Sequence, residues 1–579
     1  MADSNIQADG KNIARRSFKA AGWVLVIQFT MQFVQIFLGI CMARLLTPED
    51  YGTIGMLSIF WAIGEDFIAG GFSQALIQRK EVTETDLSSV FYYNVFLSFL
   101  CFALINLSAH RIAVFYGQDA LEPMIRVMAW ILPVSALSAV QRVFLSRRLK
   151  QFFVTVSTLV SNLIAGLIAI FLAWRGAGVW ALVWQRVIAS ILFTVSVFLF
   201  VRGIPKPKFS FKALASLFSY GSKLLAIDLL NAFVMNFTNM VIGMRETRGT
   251  LGFYSRSKSY VRLWPFSVQG AIAGVLFPAF SKIQDDTPRL RGAFRRSLAL
   301  SSFVVVFLPL LLCVLCRPII LLLFGEKWLL CIPFWWLITF TVLFFPIQSL
   351  NVQLLKAAGK PGLYLALEIL KKILYAVQIV VLIRWGIMPM LWCEIAFSLV
   401  CVYTNSYFTG RDLQYSLFGQ LRDFLPYPLI TLPSCLFAWE LYWMIMPFSS
   451  LAGLITALFA GVFAYLALNR IFKTTALSEF VTLTGNRFPV IKKIFLCEDA
   501  AKPAYNQARP TKWALPAGIH VRISPALANG TGKLLAPLRL SRPPRLLPSG
   551  RWKCPFGTPP VFGRWTIRPV SNVAESGGI

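Results

Sequence analysis

The sequence predicts an all-α, polytopic membrane protein with about fourteen transmembrane helices, and three observations predict it. Of 579 residues, 57% are hydrophobic and only 14% charged, giving a mean hydropathy of +0.66; soluble domains run at about 45–50% apolar and about 25% charged. The apolar residues gather into runs of about the 17–25 residues that a helix needs to cross hydrocarbon. The runs are continuous rather than alternating. In lipid only helices and closed barrels satisfy their own backbone, so continuous runs mean helices.

The elements follow in order. A polar, basic arm over residues 1–20, with Lys11, Arg15, Arg16 and Lys19, leads into a run too long for a cleavable signal. Six candidate spans cover 21–45, 52–77, 88–109, 124–145, 152–174 and 179–201. Eight more cover 217–244, 260–280, 298–324, 331–355, 363–383, 389–407, 424–446 and 451–468. Loops after even-numbered spans carry the basic residues, such as Arg79/Lys80, Arg147/Arg148/Lys150 and Arg289/Arg291/Arg295/Arg296. Loops after odd-numbered spans offer little beyond Arg44, Arg111, Arg175, Arg245/Arg248, Lys327 and Arg384. The positive-inside rule then puts both termini in the cytoplasm, as an even number of spans requires.

An internal repeat divides the spans. Gly52-Thr53-Ile54-Gly55 after span one resembles Gly249-Thr250-Leu251-Gly252 after span seven. Pro133-Val134-Ser135-Ala136-Leu137 in span four resembles Pro346-Ile347-Gln348-Ser349-Leu350 in span ten, and the turns at Gly176 and Gly386 correspond. Each offset is close to six spans, and an even offset preserves orientation. The expectation is two parallel six-helix lobes, 21–212 and 213–410, with two trailing helices in 411–475. Residues 476–579 are expected as a cytoplasmic tail, with the change to Pro/Arg-rich, disordered composition sharpest after Leu496.

Composition also excludes classes. The net charge of +31 sits in the arm, alternate loops and tail, which reads as topology and not as a nucleic-acid face. Two histidines leave no histidine metal site, so no metal or other cofactor is expected. The C-x-x-C at Cys313 and Cys316 lies within an apolar run and reads as inert packing. The sequence contains no G-x-x-x-x-G-K-[ST] nucleotide loop.

Several stretches carry a family resemblance: Ala75-Leu76-Ile77-Gln78-Arg79-Lys80, Leu276-Phe277-Pro278-Ala279-Phe280-Ser281-Lys282-Ile283-Gln284-Asp285-Asp286, Phe324-Gly325-Glu326-Lys327-Trp328 and Gly178-Val179-Trp180-Ala181-Leu182. Over residues 12–475 the chain resembles the oligosaccharide and polysaccharide flippases of the multidrug/oligosaccharidyl-lipid/polysaccharide exporter superfamily, nearest to colanic-acid-type exporters. The resemblance implies a two-lobed carrier, not an enzyme. It would move undecaprenyl-diphosphate-linked oligosaccharides from the cytoplasmic to the periplasmic leaflet of the bacterial inner membrane by alternating access. It also implies coupling to an ion gradient or potential, and the polymerase and export machinery of the pathway as partners. The alternatives are a multidrug exporter of the same superfamily and a membrane glycosyltransferase or ligase. The first would need a cavity dominated by carboxylates, and the second large outward loops, which are short here.

An anionic lipid diphosphate calls for cations facing an aqueous cavity. Arg186 lies inside the sixth span; Arg256, Lys258 and Arg262 lead into the eighth, placed to ring an outer mouth, with snorkelling to headgroups as the alternative for all four. Glu65, Asp66, Asp228 and Glu394 are the in-span carboxylates suited to ion coupling, or else to static interhelical ion pairs. Adjacent Glu65 and Asp66 diverge on a helix, so at most one is expected to face the cavity. Glu368 and Lys372, at i and i+4, are expected to pair. Thr238 stands near where the resemblance implies an acidic residue, a departure that weakens any transfer of that coupling role.

Overall fold

A computed structural model of the chain describes residues 30–485, apart from positions 70, 80–81, 149, 202–207 and 359–360. The expected arm at 1–20 and the tail from 486 to 579 lie outside the described residues. Within them the chain is helical, without strands. The first part holds α1 (Thr30–Leu45), α2 (Pro48–Ala69), α3 (Phe72–Gln78), α4 (Glu84–Phe115), α5 (Leu121–Ala129), α6 (Ile131–Arg147), α7 (Gln151–Trp174) and α8 (Val179–Val201). The second holds α9 (Phe211–Arg245), α10 (Arg248–Lys282), α11 (Thr287–Val314), α12 (Cys316–Ile319), α13 (Cys331–Leu343), α14 (Phe345–Ala357), α15 (Pro361–Leu382) and α16 (Ile387–Leu413). Then come α17 (Leu417–Phe424), α18 (Pro426–Ile445), α19 (Ser450–Ile471) and α20 (Thr475–Gly485). Eleven helices, some in two segments, are long and apolar enough to cross a membrane; twelve are if α2 and α3, bent by 41°, form one span.

The packing is that of a protein dissolved in lipid. Helix α7 buries Ser157, Ser161, Ala165, Gly166 and Ala169 while it exposes Val160, Ile164, Leu167 and Phe171. With lipid as apolar as leucine, large side chains gain nothing from an interior place, and small ones let helices approach. Two spans break at matching proline motifs. The α5–α6 break precedes Pro133 and the α13–α14 break precedes Pro346. A proline lacks the N–H that would bond to the preceding turn and crowds that turn's carbonyl.

Helix α10 begins well before the expected residue 260. Thr247 caps it, its hydroxyl accepting from Thr250 N at 3.2 Å, and Thr47 stands likewise before α2, bonded to Asp50. The cap-to-cap offset is 200 residues, and it pairs Gly52 with Gly252 where the sequence motifs pair it with Gly249. In that register the two helices meet reciprocally. A Cβ on Gly52 would stand 1.8 Å from the Arg248 carbonyl oxygen, and one on Gly252 would stand 1.9 Å from that of Pro48.

Hydrogen bonds sort the loops into two ends of the bundle. At one end Lys327 donates to the Arg44 and Leu46 carbonyls at 2.8 and 2.6 Å. There Trp328 donates to Ala43 O at 2.8 Å, Arg44 Nε to Leu323 O at 2.9 Å and Ile387 N to Glu246 Oε1 at 3.2 Å. At the other end Arg147 donates to Leu76 O at 2.7 Å, Arg79 pairs with Asp86 at 3.3 Å and Ser210 N donates to Ser89 at 2.9 Å. The first group joins loops after odd-numbered spans, the second loops after even-numbered spans.

The expectation of unstructured chain from 476 is corrected for residues 476–485. Helix α20 packs on α11, with Ala476, Leu477 and Val481 buried and Phe480 against Phe303 at 5.7 Å.

Candidate functional site

A cavity of about 710 Å³ lies among α1, α2, α6, α7, α8 and α10, within the size range of ligand sites. Helical periodicity explains its lining. Ser135, Ser138 and Arg142 recur at i, i+3 and i+7 on α6; Arg186, Ala189, Ser190 and Phe193 share one face of α8; Gln35, Leu38, Gly39 and Met42 share one face of α1. Trp61, Glu65 and Asp66 come from α2, Asn162 from α7 and Arg256 from α10.

The three arginines share a setting that matters for anion binding. Arg186 lies over the Trp61 ring at 4.7 Å, Arg142 over Phe193 at 5.5 Å and Arg256 over Tyr51 at 3.7 Å. An aromatic face holds a guanidinium in place by its quadrupole without cancelling its charge as a carboxylate would. Glu65 feels both Arg186 and Arg142 electrostatically but forms no direct ion pair with either. Three guanidinium groups facing two carboxylates leave a net positive cavity. Such a site can bind a phosphoryl group through charge-assisted hydrogen bonds and orient hydroxyl-rich groups on Gln35, Ser135, Asn162 and Gln185. Among the described residues no three His, Cys, Asp or Glu side chains gather to hold a metal ion.

The structure therefore joins Arg186, Arg256, Glu65 and Asp66, and separates the rest. Both Glu65 and Asp66 line the cavity, against the expectation of one. Neighbours on a helix point about 100° apart, and this cavity is wide enough to meet both. Arg256, Lys258 and Arg262 do not ring a mouth, because α10 has already run two turns or more before reaching them. Arg262 and Glu394 form an ion pair at 3.1 Å, with side chains 23% and 9% exposed. Tyr375 also donates to Glu394 at 3.2 Å, and its hydroxyl is shared with Thr238 at 3.2 Å. Lys258 lies over Tyr254 at 5.2 Å. Asp228 accepts from Gln74 at 2.8 Å and lies within electrostatic reach of Asp66.

The Glu368–Lys372 pairing is corrected too. Glu368 pairs with Lys371, and Lys372 donates to Asn231 on α9. A spacing of i+3 serves as well as i+4 on a helix, and Lys372 finds its partner across the helix boundary. Sequence reasoning missed Arg142. Its signal was its place inside the span 124–145, in a polar stripe with Ser135 and Ser138.

Comparison with known proteins fits this geometry. The succinoglycan biosynthesis transport protein ExoT of Rhizobium meliloti (strain 1021) is 24% identical over 54% of this chain and 64% of its own, so the match spans just under two thirds of that relative. The teichuronic acid biosynthesis protein TuaB of Bacillus subtilis (strain 168) is 23% identical over 72% of this chain and 88% of its own. The lipopolysaccharide biosynthesis protein WzxC of Escherichia coli (strain K12) is 24% identical over 64% and 75%. The fold is shared with the lipid II flippase MurJ in an inward closed conformation, at a TM-score of 0.61 and 16% identity over 78% of this chain and 98% of that one. It is shared also with an inward-facing multidrug resistance MATE family transporter of the MOP superfamily, at 0.51 and 14% identity over 67% and 96%. The family model described as polysaccharide biosynthesis protein matches residues 41–333, just over half of the chain. That match runs through α2, α6, α8 and α10, the helices that carry the charges of the cavity, and the chain belongs to the polysaccharide biosynthesis protein family.

Proposed function

We propose that this protein is a flippase that moves lipid-diphosphate-linked oligosaccharides across the bacterial inner membrane by alternating access during polysaccharide biosynthesis. The observation that carries the reading is the cavity with three arginines stacked on aromatic rings against two carboxylates, net positive, inside a bundle of membrane-spanning length. Arg186, Arg142 and Arg256 are placed to take the diphosphate, and the amide and hydroxyl groups around them the first sugars. Relatives named for succinoglycan transport and for lipopolysaccharide and teichuronic acid biosynthesis support the substrate class. The family's relatives are named as transport and biosynthesis proteins, and the fold neighbours as a flippase and a transporter, which favours a carrier over an enzyme.

The architecture behind this is fourteen spans in two parallel six-helix lobes with two trailing helices. The twelve spans above are completed by α1, described from Thr30, and by α15, whose Glu368, Lys371 and Lys372 depress its hydropathy. Matching N-caps, matching breaks before Pro133 and Pro346, and the reciprocal Gly52–Gly252 approach support the duplication. The α2–α10 crossing and the Lys327–Trp328 strap then close one end of the path, and the basic loops put the other end, with both termini, in the cytoplasm. Glu65, Asp66 and Asp228 are the candidates for coupling to an ion. Glu394, held by Arg262 and Tyr375, serves as a structural anion.

The runner-up, a drug exporter of the same fold, is disfavoured by the net positive cavity, which would repel lipophilic cations. The test is deletion of the gene with identification of what accumulates, alongside an Arg186→Ala variant. The expected result is a complete diphosphate-linked repeat unit retained on the cytoplasmic face, in both the deletion and the variant. An incomplete glycan would instead point to a glycosyltransferase, and normal polymer export by a correctly inserted Arg186→Ala protein would remove the cavity from the mechanism.

A further inference from the structure

A second cavity, of about 680 Å³, lies between the start of α11, the last turns of α16 and the short helix α17, and shares no residue with the first. Four arginines line it: Arg291 and Arg295 one turn apart on α11, Arg411 on α16 and Arg422 on α17. Its lining has one carboxylate, Asp423, and that carboxylate is spent. Asp423 accepts two hydrogen bonds from Arg295, at 2.6 and 3.0 Å, and a third from Tyr415. Arg291 rests over the Tyr415 ring at 5.6 Å, and neither it nor Arg411 nor Arg422 has an ion pair among the described residues. Three guanidinium groups thus border one hollow whose single carboxylate, Asp423, is already bonded to Arg295. Several cations around one hollow favour an anion that can bridge them.

The surroundings say what kind of anion. Tyr403 and Tyr407 stand exposed one turn apart on α16, their rings stacked at 6.2 Å. Tyrosines with an apolar body and a wet hydroxyl favour the headgroup level of a bilayer. Further along α16, Leu399 and Val400 are exposed, and Phe418 on α17 is 82% exposed. A soluble phosphate would gain nothing from that apolar flank, whereas an acyl chain would lie along it. The cavity also sits at the end of the bundle where the arginine-rich loops gather, the end at which anionic lipid headgroups bind basic pockets between helices.

We infer that the α11–α16–α17 cavity is a binding site for the phosphate headgroup of an anionic phospholipid, separate from the transport cavity. Arg291, Arg411 and Arg422 engage the phosphate, Tyr403 and Tyr407 border the glycerol region, and Phe418 with Leu399 and Val400 receives an acyl chain.

The test uses the purified full-length chain in nanodiscs or detergent, with retained lipid counted by native mass spectrometry. Dioleoyl phosphatidylglycerol is compared with dioleoyl phosphatidylcholine, and sodium phosphate and sodium pyrophosphate are added as soluble competitors. The expected result is at least a tenfold preference for phosphatidylglycerol that millimolar phosphate or pyrophosphate does not displace. Arg411→Gln/Arg422→Gln should reduce that preference about tenfold, while Arg186→Ala, in the other cavity, leaves it intact. Equal retention of the two lipids by the unaltered protein overturns the proposal without need of a variant. Displacement by soluble phosphate reassigns the site to a free anion and also overturns it, as does an unchanged preference in the double variant.

Discussion

The α2–α10 crossing offers the sharpest test of the proposed alternating access. Gly252→Ala adds a single methyl group whose carbon would fall 1.9 Å from the Pro48 carbonyl oxygen, and backbone cannot swing aside as a side chain can. A contact of at least 3.0 Å is needed, so the helices must part there by about 1.1 Å. Helix propensity acts in the opposite direction, since alanine is favoured over glycine in a helix by about 1 kcal/mol. Any loss of closure therefore comes from the contact itself. Overpacking at a tight interface costs about 1–3 kcal/mol, which shifts a two-state equilibrium by roughly 5- to 150-fold. The assay is labelling of Met56→Cys in a cysteine-free background with an impermeant maleimide. Met56 lies one turn below Gly52 and is wholly buried. Gly252→Ala should raise its labelling rate at least fivefold from the closed end. Gly274→Ala, on the same helix with nothing near its Cβ position, should leave the rate unchanged. Equal labelling in Gly252→Ala and its parent, with transport intact, would refute the idea that this crossing parts during the cycle.

Three further outcomes follow from the same geometry. Arg142→Gln should lower translocation at least tenfold while insertion and thermal stability stay near wild type, because Arg142 is stacked on Phe193 without a direct ion pair and Glu65 keeps Arg186 as its stronger electrostatic partner; an assay of polymer export against membrane abundance checks this. Arg262→Gln strands the buried Glu394 carboxylate and should cost about 3–5 kcal/mol, read as a lowered melting temperature, and Arg262→Gln/Glu394→Gln should recover most of it. Lys327→Gln removes the ammonium that bridges the Arg44 and Leu46 carbonyls and should raise labelling of Met56→Cys in the same direction as Gly252→Ala, though less.

What the sequence made legible was whatever hydropathy measures directly. Spans, loop charge and in-span ions such as Arg186 and Glu65 stand out because lipid penalises polar groups wherever they fall. The start of α10 was hidden because Arg248, Arg256, Lys258 and Arg262 depress local hydropathy until the stretch resembles a loop. The readable signal was the cap, Thr247, with Thr250 three residues on. Arg142 carries no local sign of the ring it stacks on, and Lys372 stands near a carboxylate that Lys371 takes. In each case the deciding partner is remote in sequence: Phe193 for Arg142, Asn231 for Lys372 and Glu394 for Arg262. Helix α20 is different. Its Ala476, Leu477, Phe480 and Val481 recur with helical spacing, a local pattern obscured by the Pro/Arg-rich composition that follows.

The proposed duplication also bears on why most of the cavity lining comes from the first half, with Arg256 of α10 contributed by the second. If the helix starts are aligned, Gly178 before α8 rather than Gly176 falls on Gly386 before α16, and this 208-residue offset places Arg186 opposite Glu394. In that alignment two matched positions, one in each proposed half, hold opposite charges. Each meets the helix that carries the Gly-containing crossing of its own half: Arg186 lies over Trp61 of α2, and Glu394 pairs with Arg262 of α10. On α2 the direct partner is the Trp61 face, which positions the cation, with the Glu65 carboxylate near but not bonded to it. On α10 the partner is a counter-ion, which cancels the charge and ties α10 to α16. Parallel halves with the same charge at both positions would present either two competing anion sites or none. In that reading, opposite charges leave Arg186 facing the cavity and close Glu394 in an ion pair, which ties α10, the helix that also brings Arg256 to the cavity, to α16.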